Sequence, residues 1–291
     1  VLGVKGVNQS QQERLAYIDF RLYFLGLVSR SDLIERFGLK EAAATRDLAL
    51  YKEKAPKNLI YDTKAKIYKV NKPFKPLFEY PADKVLSTLS KGFGGEIISV
   101  NQGLINTETP SQLNKPDVGI LSEITRAIHL NKAVKMTYCS MSSGEKIREM
   151  VPFCLVDNGL RWHVRAYDRL NNRFSDFVLT RIKKSKMLDK SIVDDVECKE
   201  ADIQWNRIVE LEIIPHPDLG AKQKDAIEMD YGMIDGVLKI NLRAAVAGYL
   251  LRRWNVDCSE KGTLKGACIL LMASQQCSAL RGRQCGDFAW I

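Results

Sequence analysis

Val156 to Tyr167, VDNGLRWHVRAY, is the stretch that most narrows what this chain can become. Asn158-Gly159 suits a two-residue type I′ hairpin turn, because both residues accept positive φ at little cost. After the turn the residues alternate. Leu160, Trp162, Val164 and Ala166 fall on one face, and Arg161, His163, Arg165 and Tyr167 on the other, as a strand period of two requires. The first face reads as core, Trp162 included. The second carries two guanidinium groups and an imidazole, a chemistry suited to an anionic partner. The bland alternative for His163 is a satisfied, half-buried histidine.

Charge distribution supports anionic partners. Residues 1–70 hold 13 Lys and Arg against 8 Asp and Glu, and residues 118–190 hold 14 against 7. Residues 191–291 reverse the balance with 12 against 15. Two separate basic blocks suggest two separate surfaces for polyanions, and the acidic end argues against a third. The seven cysteines are odd in number and fit no zinc-module spacing, so no metal or other cofactor is expected. No apolar run reaches the roughly 20 residues of a membrane span, and no charged-then-apolar leader opens the sequence. A reducing cytoplasm with free thiols is the simplest expectation.

The first block has a recognisable order. Gln11–Leu25 places Leu15, Ile18, Leu22 and Leu25 at amphipathic helical spacing, after a loose leader of about ten residues. Ser31 is positioned to cap a short helix holding Leu33, Ile34 and Phe37. Gly38 supplies a turn, and a second helix runs from about Lys40 to Lys54 with Leu48 and one alanine inward. Residues 58–70, NLIYDTKAKIYKV, alternate and bend at Asp62–Lys64, a two-stranded wing tipped by Lys64 and Lys66. Helix, turn, helix, wing is the winged helix-turn-helix layout. The residues expected at DNA are Ser31, Lys40, Thr45, Arg46, Tyr51, Lys64 and Lys66. The octet ATRDLALY resembles the recognition helix of DeoR-type winged helices, with Lys40 standing where a Ser or Thr cap is usual. Residues 71–117, punctuated by Pro73, Pro76, Pro81, Pro110 and Pro116, read as a connector that also packs. Its GFGG run lacks the spacing of a nucleotide-binding loop.

Residues 118–190 form a second unit: a helix over Val118–Leu130, then strands at Val134–Tyr138, Glu149–Val156, Leu160–Tyr167 and Phe174–Ile182. The phrases AIHLNKAVKMTY, REMVPFCLV, DNGLRWHVRAYD and RFSDFVLTRI occur in order and resemble a WYL domain. With a winged helix in front, the chain resembles WYL-domain bacterial transcriptional regulators, and most closely the BrxR or CapW group that controls anti-phage defence operons. The resemblance covers most of residues 11–257. It implies an α+β multidomain protein with a Sm-like β-barrel and a basic ligand pocket. By the same resemblance the candidate ligand residues are Tyr138, Ser140, Arg148, His163, Arg165 and Arg181, with pairing to Asp176 as the alternative for Arg181. Arginine forks suit phosphate oxygens, and Tyr or His can stack on a base. Phe153 departs from the group, where a histidine often follows the proline.

Residues 205–257 read as strand, helix, strand-turn-strand and helix. They resemble the C-terminal extension tied in that family to dimer formation, so residues 191–291 are assigned to it. A helix over Ala267–Leu280 is a further expectation. The combined reading is a homodimeric regulator, a repressor of a defence operon, that grips palindromic double-stranded operator DNA and senses a nucleotide or oligonucleotide effector. The alternative is a non-specific nucleic-acid-binding accessory module of a defence complex. An enzyme is not expected: HExxH, GxSxG and Walker signatures are missing, and the three histidines lie at 129, 163 and 216 with no nucleophile beside them.

Overall fold

A computed structural model describes residues 6–93, 103–108, 113–259 and 262–272. Gly94 and Gly95 of the GFGG run, Pro110, Cys277, Cys285 and the tail beyond Met272 lie outside the described residues. The chain divides into two compact units, Val1–Thr109 and Pro110–Ile291.

In the first unit α1 (Gln9–Phe20) is capped by Asn8, whose side chain accepts from the Gln11 N–H. The helix widens into a π turn, Arg21–Leu25, and stops at Gly26 with φ of 81°. Leu15, Ile18 and Leu22 form its fully buried stripe. Strand β1 (Leu27–Val28) leads to α2 (Arg30–Phe37). The cap of α2 is Ser29, two residues before the expected Ser31. Asp32 lies three residues after Ser29, and the pair closes a reciprocal capping box that Ser31 could not make. Gly38, at φ of 63°, ends α2. Helix α3 (Glu41–Lys54) follows, with Ala44, Leu48 and Tyr51 buried. Strands β2 (Leu59–Asp62) and β3 (Ile67–Val70) form the wing, and β1 completes a sheet in the order β1-β3-β2.

The connector segment belongs to this unit up to the end of α4 (Ala82–Lys91): Phe74, Leu77 and Phe78 pack on the winged-helix core. The buried Asp19 carboxylate fastens it, accepting from the Leu77 N–H and from the hydroxyls of Tyr80 and Tyr51. Asp19 falls in phase with Leu15, Ile18 and Leu22. A carboxylate inside an apolar stripe needs donors brought to it, and the connector brings two of the three.

In the second unit α5 (Val118–Leu130) is capped by Asp117 and packs Ile124 and Ala127 on a sheet. That sheet holds β4 (Ala133–Ser140), β5 (Gly144–Asp157), β6 (Trp162–Asp168), β7 (Arg173–Val178) and β8 (Ile182–Leu188) in the order β7-β6-β5-β4-β8. The expected Sm-like barrel is not closed: β7 and β8 are edges of an open sheet. The chain expected as one strand over Phe174–Ile182 breaks at a 3-10 turn, Leu179–Arg181, and its second part crosses to pair with β4. Bulges at Thr137/Tyr138 and Pro152/Cys154 supply local twist and bending.

A second sheet follows, joined by α6 (Ile203–Asn206). Strand β9 (Ile208–Pro215), helix α7 (Ala221–Tyr231), strand β10 (Leu238–Arg243), helix α8 (Ala244–Arg253) and strand β11 (Ile269–Leu271) build it in the order β10-β9-β11. Gly232 stops α7 in the left-handed region. The expected strand-turn-strand over 233–242 is a single bridge, Ile234 to Val237, followed by β10. Within 267–272 the chain forms β11 rather than the start of a helix, because Ile269 and Leu271 complete the core of β9 and α8.

Two expectations about the central hairpin fail. The turn is not two residues long. It spans Asn158–Arg161, where the Asn158 side chain accepts from the N–H groups of Leu160 and Arg161. Only Gly159 adopts positive φ there. And Trp162 is 45% exposed although it is in phase with buried Val164 and Ala166, because it borders a cavity instead of joining their core.

Candidate functional site

The outer side of α3 is built by what its inner side buries. With Ala44, Asp47, Leu48 and Tyr51 inward, helical spacing turns Lys40, Thr45 and Arg46 outward, and all three are exposed. Thr45 donates its hydroxyl to the Glu41 carbonyl at 2.9 Å. Arg14 clamps the buried Asp47 from behind at 2.6 Å, which leaves Arg46 without a carboxylate partner among the described residues. At the wing tip Lys64 and Lys66 are exposed. Asp62 shapes that tip by accepting from the Lys64 and Ala65 N–H groups, and Lys69 pairs with it at 2.7 Å. The Ala65 N–H, and then Lys69, hold the Asp62 carboxyl below the usual carboxylate range. Ser31 is exposed, with its hydroxyl 2.7 Å from that of Ser29.

Tyr51 does not belong to this surface. It is fully buried, bonded to Asp19 and receiving the Asn58 side-chain amide at 3.1 Å. Burial, reinforced by the Asp19 charge, pushes its phenol far above its ordinary value. Tyr51 continues the inward row of Ala44 and Leu48 at helical spacing, so the expected DNA contact is not made by this residue.

The six residues carried over for ligand binding do not converge on one open pocket. Tyr138 is core, edge-on to Phe177, and its hydroxyl accepts from the Val178 N–H at 3.2 Å. Ser140 sits at the end of β4 beside Ser142. Arg148 is paired with the buried Asp168 at 2.7 Å. Arg181 is half-buried, and one terminal nitrogen has no partner among the described residues. Asp176, the alternative partner considered for Arg181, is held by Arg165 instead.

His163 and Arg165 share a buried polar cluster. Their face of β6 is covered by Asp202 at the head of α6 and by Tyr249 of α8. Arg165 grips Asp202 with two nitrogens, at 2.7 and 3.1 Å, and Asp176 with a third at 3.1 Å. Burial alone would disfavour its charge, but the hydrogen bond and charge of Asp202, with Asp176, more than offset that and hold it protonated. Tyr249 of α8 donates to Asp176 at 2.8 Å and stacks on the His163 ring with centroids 5.1 Å apart. Burial lowers the His163 pKa below the ordinary histidine value against the pull of Asp176, so the ring is neutral at pH 7. Its Nδ1 has no partner among the described residues. The hairpin's cationic face therefore already holds oxyanions, those of its own Asp202 and Asp176. Asp202 was not singled out in the sequence, and Asp176 was considered there only as a partner of Arg181. A clue was available in the acidic run before Trp205, which sits opposite a basic strand.

Among the described residues no group of three or more potential metal ligands occurs, and no helix is long and apolar enough to cross a membrane.

Three family comparisons match in the order of the fold. Residues 10–91 match the winged helix-turn-helix domain of the BrxR transcriptional regulator, 119–187 match the WYL domain, and 208–276 match the BrxR C-terminal dimerization domain. A DNA-binding transcriptional repressor named CapW from Escherichia coli (strain KTE188) is 34% identical over 87% of this chain and 86% of its own length. One from Pseudomonas aeruginosa is 33% identical over 88% and 86%. These relatives are described as repressors, not as enzymes. The solved PafBC of Arthrobacter aurescens superposes with a TM-score of only 0.30 and 16% identity, over 94% of this chain and 46% of that one, and carries no weight. By identity, coverage and the order of all three domains, the chain belongs to the BrxR/CapW family of winged-helix, WYL-domain transcriptional repressors.

Proposed function

We propose that this protein is a DNA-binding transcriptional repressor that works as a homodimer on a palindromic operator of an anti-phage defence operon. The observation that carries the reading is the exposed row of Lys40, Thr45 and Arg46 on α3, with Lys64 and Lys66 on the wing, in a chain whose relatives are DNA-binding repressors. Phosphate contacts from the wing lysines would fix position on the duplex, and α3 would meet base edges. The alanines at 42–44 leave few reading groups, so Arg46 carries most of the base contact. Two copies joined through residues 208–276 match a two-fold operator.

The WYL region serves in this reading as a sensor of a nucleotide or single-stranded nucleic acid. What supports it is the buried guanidinium of Arg165, already occupied by two carboxylates in a geometry a phosphate could take over. Effector binding then acts through its differential affinity for the closed and opened arrangements.

The test is a mobility-shift titration at about 150 mM salt with DNA from upstream of the protein's own operon. The reading expects that duplex to bind far more tightly than a scrambled duplex of equal length, and equal affinities refute it.

A further inference from the structure

A cavity of about 660 Å³ opens at the end of the β-sheet, between the turn of β5 and β6 and the segment ahead of α5. It lies apart from the six ligand residues considered above. Its walls are apolar: Leu121, Leu155 and Leu179 continue the core outward, Leu113 and Leu160 close the sides, and Trp162 lines the mouth. This accounts for the half-exposed Trp162. The ring sits on the core face of β6 but over empty space. The volume suits a small molecule rather than a side chain.

Charge decides the class of occupant. Arg161 and Lys115 line the cavity with one acid, Asp157, whose carboxylate accepts the Gly159 N–H at 2.8 Å. The Arg161 Nε is buried and has no hydrogen-bond partner among the described residues. The Arg161 side chain among the lining residues offers an oxyanion in the cavity a charge-assisted partner. The leucine walls favour an apolar body over the ribose and polyphosphate of a nucleotide.

We infer that this cavity is a ligand site, which takes an amphipathic organic monoanion: a planar apolar body against Trp162 and the leucines, with its carboxylate or sulfonate on Arg161. The site is independent of the operator and nucleic-acid readings above and survives the failure of either.

The probe is 1-anilinonaphthalene-8-sulfonate, with uncharged N-phenyl-1-naphthylamine of the same ring system as control, each titrated by fluorescence into the full chain. The sulfonate is expected to saturate at one per chain and to bind about tenfold more tightly than the neutral dye, the worth of one charge-assisted hydrogen bond. Arg161→Gln should remove that tenfold advantage and leave the neutral dye unchanged. Leu121→Trp, which narrows the cavity, should weaken both. If Leu121→Trp fails to melt cooperatively, the two dyes on Arg161→Gln decide alone. Equal affinity of the two dyes, non-saturating sulfonate binding, or sulfonate binding that Arg161→Gln leaves intact overturns the inference.

Discussion

Removing Asp202 isolates the energetic role of the buried cluster. Arg165 is only 6% exposed and Asp202 1% exposed, joined by two hydrogen bonds. Asp202→Ala leaves a buried guanidinium with half its partners. Deleting one member of a buried pair costs about 3–5 kcal/mol, and the remaining bond to Asp176 places this case near 3. Asp202 also caps α6 by accepting from the Gln204 and Trp205 N–H groups, which adds about 1 kcal/mol. The expected loss is therefore ~4 kcal/mol, read as a fall in urea midpoint at constant slope. Asp202→Asn keeps the cap and loses less. Arg165→Met combined with Asp202→Ala should recover part of the loss, because the guanidinium is no longer stranded and Asp176 keeps the Tyr249 hydroxyl. A loss below about 1 kcal/mol for Asp202→Ala, the range of a surface ion pair, would refute the buried-pair argument.

Arg46→Ala should weaken binding to operator more than to scrambled DNA, by about 1–3 kcal/mol, with dimerisation unchanged by light scattering. His163 is buried neutral with a lowered pKa, so the unfolded chain takes up its proton first. Stability is thus lost as pH falls below about 6.5, by up to ~1.4 kcal/mol per pH unit until the folded pKa is reached, and His163→Gln should flatten the denaturation-versus-pH curve over that window. Gly159 has φ of +82°, and a Cβ there would lie 2.7 Å from the Arg253 guanidinium. Gly159→Ala should cost about 1–2 kcal/mol from the left-handed backbone alone, seen as a lowered Tm.

What the sequence made readable was whatever depends on local periodicity. The inward Leu48 and alanine of α3, the wing and its lysine tip, the span of α5 and the Gly stop of α7 all follow from spacing and turn chemistry within a dozen residues. What it hid depends on partners far along the chain. Nothing near β6 announces that Asp202 and Tyr249 will cover its polar face, so His163 and Arg165 read as an open surface. Tyr51 and Asp19, 32 residues apart, had to be seen together before either could be recognised as interior. The separation of β8 from β7 failed for a related reason: Phe174–Leu188 stays strand-like on both sides of the 3-10 turn, and only pairing with β4 shows the crossing.

The two acids on Arg165 are not equivalent, and their difference sets how an effector could act. Asp176 lies on β7 directly across from Arg165 in the sheet register, so it cannot leave without breaking the sheet. Asp202 stands at the head of α6, outside the sheet. In the proposed sensor reading, an incoming phosphate would exchange with Asp202 first. Next along, the Trp205 carbonyl accepts from Arg243 at 2.6 Å, and the Arg243 guanidinium lies 4.8 Å over the Trp205 ring. Arg243 ends β10 and caps α8, within the span that matches the dimerization domain. Displacing Asp202 thus loosens the segment that ties the sensor sheet to the dimer-forming region. Asp202→Asn removes the carboxylate charge and puts an amide nitrogen in place of one of the two oxygens that accept from Arg165, weakening the clamp by about 1.4 kcal/mol. A single-stranded oligonucleotide should then bind about tenfold more tightly than to the parent chain, and release operator at correspondingly lower concentration. If Arg165→Ala abolishes oligonucleotide binding while Asp202→Asn leaves its affinity unaltered, the effector reaches Arg165 without exchange, and the coupling to the dimer region has no physical carrier.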